Sequence, residues 1–175
     1  MAIDNVFWSN PDDWFSAIIL NDSGNQVYGR VKNDIALIES LPDINTGFHF
    51  NDVVKVNKTN IQQRYKDDYI SEYKVQELYC PSDNFTFQFK AIISNTTEYF
   101  NLQQWFIENN QISSLVFKTK YEKDDWNDCF CSAINISQAN KILLNFQSKV
   151  SGKWYERIFG NKKSNFQFKE IHLCG

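Results

Sequence analysis

In the first eighty positions, apolar residues come in short runs separated by turn formers, which is the spacing of strands. Trp14–Leu20 reads as a strand. Asn21-Asp-Ser-Gly-Asn25 reads as a turn in which Gly24 supplies a positive φ, and Gln26–Val31 as the returning strand. Ala36–Ser40 is either a third strand or a loop ahead of Pro42. Asp52–Asn57 alternates apolar and polar, Asn60–Arg64 continues it, and Ser71–Tyr79 is a further strand. Short strands joined by turns predict a small curved sheet or half-barrel over residues 1–80. Cys80-Pro-Ser-Asp-Asn84 interrupts the pattern and marks the expected boundary.

The rhythm then changes. Asn84–Ile93 alternates with period two and puts Phe85, Phe87 and Phe89 on one face. A helix is expected to start at Asn95-Thr-Thr-Glu98, capped by Thr96 or Thr97, with Glu98 near the positive end of its dipole. Tyr99, Leu102, Gln103, Phe106 and Ile107 follow at helical spacing. Ile112–Tyr121 is read as a strand, Glu122–Asp128 as a polar hairpin loop and Cys129–Ile136 as the next strand. Ser137 is the expected cap of a second helix with an apolar stripe of Ala139, Ile142, Leu143 and Phe146. That helix resumes through Trp154–Phe159 after Gly152 and ends at Gly160-Asn-Lys-Lys. Asn165–Leu173 is the last strand.

The resulting order from residue 84 to 175 is β-α-β-β-α-β, the ferredoxin-like arrangement with two helices on one face of an antiparallel sheet. The expected class is therefore α+β: a β-rich unit over 1–80 and a ferredoxin-like unit over 84–175, separate or fused into one domain. No sequence repeat accompanies the order.

Composition supports a packed core. The 175 residues are 42% apolar and 16% aromatic, which a disordered chain is not. Net charge is −3, against nucleic acid as a partner. Its distribution is uneven: residues 1–80 hold seven Lys and Arg against twelve Asp and Glu, and residues 81–175 eleven against nine. An acidic front half suits a basic partner. The first residues carry no basic and apolar leader pattern, and no apolar run reaches membrane-spanning length, so a soluble cytoplasmic protein is expected. In that setting the Asn-x-Ser/Thr triplets at Asn57, Asn84 and Asn95 are chance, and Cys80, Cys129, Cys131 and Cys174 are reduced thiols.

One stretch carries a family likeness. Trp14-Phe15 opening a strand, Gly29, Asn33, the run Gly47-Phe-His-Phe-Asn-Asp-Val-Val-Lys-Val56 and Ile61 resemble the YegJ-like bacterial domains of unknown function, over about residues 12–64. Where that family has Gly-Asp-x-Val, this chain has Asn51-Asp52-Val53-Val54. Similar domains occur beside bacterial toxin and immunity genes, so the resemblance implies a binding role and supplies no catalytic residue. The second half resembles regulators of ribonuclease E and other ferredoxin-like binding domains in topology alone.

Candidate chemistry is sparse. Cys129-Phe-Cys131 and His172-Leu-Cys174 each put two ligand atoms on one strand face, and Cys80 precedes the strand expected between them. The start of the third strand and the end of the fourth are expected at one end of the sheet. A strand between them leaves about 9–10 Å to close, so buried inert thiols are preferred to a metal site. His49 and His172 have no neighbouring nucleophile motif, and no phosphate-binding, nucleophile-elbow or zinc-protease motif occurs. The late basic residues Lys149, Lys153, Arg157, Lys162, Lys163 and Lys169 fit a solvated face better than an RNA site.

The paired carboxylates lie in polar loops beside aromatics. Tyr65, Asp67, Asp68, Tyr69, Glu72 and Tyr73, with Asp124, Asp125 and Trp126, are the expected partner-binding residues. No catalytic residue, metal ligand or cofactor is assigned. The reading is a non-catalytic bacterial immunity protein that masks a cognate toxin's active site. The alternatives are a regulatory or RNA-associated ferredoxin-like module, and an unrecognised enzyme or zinc protein.

Overall fold

The computed structural model describes residues 14–42, 46–65, 68–115, 125–151 and 166–174, with the side chains of 65 and 115 outside that set. It divides into two compact units, Met1–Ser82 and Asp83–Gly175. The class is α+β. Among the described residues there are nine strands and two helices.

The first unit is the expected small curved sheet, closed into a five-stranded barrel. β1 (Phe15–Leu20), β2 (Gln26–Lys32), β3 (Ile35–Ile38), β4 (Val53–Tyr65) and β5 (Asp68–Cys80) run as an antiparallel meander. A parallel pairing of Ala17–Leu20 with Ser71–Lys74 shuts it. The turns follow their residues: Gly24 has φ +79, and the two-residue turn Asn33–Asp34 has Asn33 at φ +58. Alternate side chains fill the interior with Ala17, Ile19, Val27, Val31, Ala36, Ile38, Val54 and Val56, all small or aliphatic. The wall is tight at Gly29, where a Cβ would lie 2.1 Å from the Leu37 carbonyl oxygen.

The second unit holds β6 (Phe85–Ile92), α1 (Thr96–Glu108), β7 (Ser113–Leu115), β8 (Trp126–Ala133), α2 (Ile136–Ser151) and β9 (Gln167–Leu173). Its strands lie in the order β7-β8-β6-β9, all neighbours antiparallel, as in a ferredoxin-like sheet. Phe87, Phe89 and Ala91 of β6 and Cys129, Cys131 and Ala133 of β8 share one core with Leu102 and Phe106 of α1 and Ala139, Ile142, Leu143, Phe146 and Val150 of α2. Both helices therefore cover the same face. Burying each phenylalanine stabilises the unit by roughly 1.5–3 kcal/mol.

Several local expectations are corrected. Asn95, not Thr96 or Thr97, caps α1: its Oδ1 accepts from Glu98 N at 2.9 Å, while the buried Glu98 carboxylate accepts from Ser94 N at 2.6 Å. Likewise Asn135, not Ser137, opens α2. Asn135 Oδ1 accepts from Gln138 N at 2.9 Å, and Gln138 Oε1 accepts from Ile134 N at 2.7 Å. β8 begins at Trp126, inside the expected loop, because Trp126 pairs with Ile92 and Asp128 with Lys90 along β6. It ends at Ala133, and Ile136 is already helical. Residues 116–124 of the expected second strand and loop, and the helix extension and turn over 152–163, lie outside the described residues.

Candidate protein-binding surface

β4 and β5 are each 13 residues long, more than the barrel uses. β3 pairs with β4 only over Val53–Lys55, and β1 with β5 only over Ser71–Lys74. The rest of the hairpin forms an arm with pairs Gln62↔Ser71, Gln63↔Ile70, Arg64↔Tyr69 and Tyr65↔Asp68. The register shifts between Lys58 and Gln62, where β4 has more residues than β5 opposite. Thr59 Oγ1 organises this bulge: it accepts from Ile61 N at 3.1 Å and donates to the Glu72 carbonyl at 3.2 Å.

The expected contact residues separate into three groups. Asp68 and Tyr69 stand at the arm's tip. Tyr69 is 66% exposed, and Asp68 Oδ1 accepts from the Tyr69 N–H at 2.7 Å. Glu72 is a correction, and Tyr73 is half-buried. Glu72 is 5% exposed, its carboxylate within hydrogen-bond reach of Thr59 Oγ1 at 3.2 Å and accepting from Gln63 Nε2 at 3.1 Å. The bulge shifts the facing residues of β4 and encloses it. Tyr73 packs against the barrel core. Tyr65 pairs with Asp68 through the backbone, and Asp67 and Asp124 lie outside the described residues.

Asp125 and Trp126 belong to the second unit. Asp125 Oδ1 accepts from Trp126 N at 2.7 Å. Lys169 Nζ sits 4.1 Å over the Trp126 ring and 3.4 Å from Glu170 Oε1, whose other oxygen is 3.1 Å from Lys90 Nζ. Hydrogen bonding from Lys90 holds the Glu170 carboxyl below its ordinary range, with Lys169 adding to the effect. Beside them Gln88 Nε2 donates to Asp128 Oδ1 at 3.4 Å, and Gln88 Oε1 lies 3.2 Å from His172 Nε2. This is the sheet face opposite the helices. Lys90 and Lys169 are engaged there by Glu170 and by the indole.

Residues not singled out from sequence complete the barrel surface. Two positions before Ala17 and Ser71 on their parallel strands stand Phe15, 71% exposed, and Tyr69. Ser16, Ala17, Tyr28, Gly29, Glu39, Ser40 and Ile70 line a hollow of about 200 Å³ on the outer wall, where Arg30 pairs with Glu39. Ile61 is exposed on the bulge. The signal for Tyr28 was the alternation of its strand, which turns Val27 and Val31 inward and Tyr28 outward.

Burial, with the Asp128 charge next, pushes the Cys129 thiol up to about 12. Burial, then Cys129 and Cys174, pushes Cys131 still higher, and burial raises Cys174. These three stay protonated at neutral pH and are poor nucleophiles. The expected placement is corrected too. Cys131 and Leu173 both pair with Phe87, so β9, across β6 from β8, ends level with the second half of β8, away from its start. Among the described residues, no group of three or more His, Cys, Asp or Glu could hold a metal ion, and no helix is long and apolar enough to cross a membrane.

No family model matches the chain, and no curated protein does. Among solved structures, a hypothetical protein from Neisseria gonorrhoeae aligns over 95% of this chain and 98% of its own at 13% identity, with a TM-score of 0.31.

Proposed function

We propose that this chain is a non-catalytic binding protein of the cytoplasm, and specifically a bacterial immunity protein that masks the active site of a cognate toxin. The observation that carries the reading is the pair of exposed aromatics, Phe15 and Tyr69, held on adjacent parallel strands of a closed barrel and flanked by Asp68. Rigid aromatic side chains lose little entropy on docking and anchor interfaces, while nearby carboxylates steer encounter. The acid excess of the first eighty residues favours a basic target such as a nuclease cleft.

The test is co-expression with the product of the adjacent gene, followed by capture of the complex. Wild-type chain is expected to restore growth and co-purify with the toxin. Phe15→Ala with Tyr69→Ala is expected to weaken binding about tenfold or more. The same change should shift folding stability by only about 0.5 kcal/mol per site, because both rings are already in water. Neither rescue nor co-purification by the wild type would end the proposal.

A further inference from the structure

The barrel leaves one long strand edge open. β3 covers β4 only to Lys55, and the last backbone bond on that side is Val56 N to Asp34 O at 2.8 Å. From Asn57 to Tyr65 the outer edge of β4 meets no other strand among the described residues, and Asn57, Lys58, Asn60, Ile61, Gln62 and Arg64 are exposed. Open edges present unpaired backbone donors and acceptors to any extended segment.

Charge selects the occupant. β4 contains Lys55, Lys58 and Arg64 and no acid. Lys55 is tied to Glu77 at 3.7 Å, whereas Lys58 and Arg64 have no ion-pair partner among the described residues. A second copy laid along this edge would bring like charges together, so the same residues that guard against self-pairing favour an acidic strand. At the bulge, Lys58, Thr59, Asn60 and Gln62 line a hollow of about 370 Å³, room for a side chain of the added segment. Its carboxylate would meet the Lys58 ammonium there.

We infer that the β4 edge receives an acidic extended segment of a partner protein by strand addition, along Gln62–Tyr65 and, past the bulge, Asn57–Lys58. This deepens the binding reading above and rests on it: the exposed aromatics of β1 and β5 anchor a predominantly basic partner surface while the edge takes one acidic strand of the same partner.

The probe is a peptide of about nine alternating Glu and Val residues, matched to the free edge and titrated into the full-length isotope-labelled chain. Two control peptides replace Glu by Lys, or Val by Pro. Amide signals of Asn57–Tyr65 are expected to shift with the Glu peptide alone. Lys58→Glu with Arg64→Glu should weaken that binding about tenfold or more and transfer it to the Lys peptide. No shifts, shifts confined to another surface, or equal binding of the Pro peptide would overturn the inference. So would a wild-type dimer lost in the charge-reversed variant, since the edge would then belong to a second copy. If the charge-reversed chain still captures the native partner with wild-type affinity, strand addition fails and the binding reading stands. If the Glu peptide binds but no native partner is captured, the binding reading fails and the edge stands.

Discussion

The two largest core clusters differ in their use of aromatic residues. In the ferredoxin-like unit, Phe87, Phe89, Phe106, Phe146 and Phe166 are buried in the core, with the Phe146 and Phe166 rings edge to face at 4.9 Å. In the barrel, every fully buried member of the interior cluster is Ala, Val or Ile, with Phe48 and Tyr73 only packing against it, and Phe15, Tyr28, Tyr69 and Tyr79 are exposed. The cause is geometric. A sheet under two helices leaves a layer about 10 Å thick, deep enough for phenyl rings, whereas five strands closed on themselves leave a narrow bore. Phenyl rings therefore fill the core of one unit and stay out of the fully buried interior cluster of the other.

The comparison can be broken most sharply at Phe89. Phe89→Ala should cost about 3–5 kcal/mol, measured by chemical denaturation, because the ring is fully buried and the cavity has strand neighbours on both sides. The barrel fails in the other direction, by excess volume. Gly29→Ala forces a Cβ against the Leu37 carbonyl and the Ile19 side chain and should cost about 1–3 kcal/mol in the same measurement.

Alkali separates the units by their thiols. The folded-state value of Cys129, about 12, lies above the free value of 9.0, so the unfolded chain ionises first. This contribution is complete below pH 9 and is lost as pH rises from 9 toward 12, on the order of 1 kcal/mol per pH unit. Urea unfolding across that window should show a fall that Cys129→Ala flattens. Amide exchange should place the loss in the second unit, where both buried cysteines lie. An unchanged slope in the variant would show that Cys129 does not carry the effect.

Legibility in the sequence also differed between the units. The β-α-β-β-α-β order could be read because each element is local: Phe85-Thr-Phe-Gln-Phe89 alternates, and Ala139, Ile142, Leu143 and Phe146 recur at helical spacing. The caps were misplaced by one or two residues because Asn, Ser and Thr all cap, and only the hydrogen bonds of Asn95 and Asn135 distinguish them. Glu72 read as a surface acid among tyrosines. Its burial depends on the register shift between Lys58 and Gln62, which composition does not encode. The strand status of Trp126 depended on β6, distant in sequence, extending far enough to pair with it. The open β4 edge was hidden for the same reason, since it exists only because β3 begins at Ile35, opposite Lys55.

The parallel seam between β1 and β5 has a consequence in time. Ala17 pairs with Ser71 and Leu20 with Lys74, so the first strand of the meander waits for the last before its second edge is satisfied. Hairpins β1–β2 and β2–β3 can form early from neighbouring residues, but closure requires joining segments more than fifty residues apart. Until β5 is synthesised and folded back, Ala17-Ile18-Ile19 presents an apolar strand with a free edge. During that interval the barrel is open to mispairing, and closure is the step at which a chaperone or slow translation would matter most.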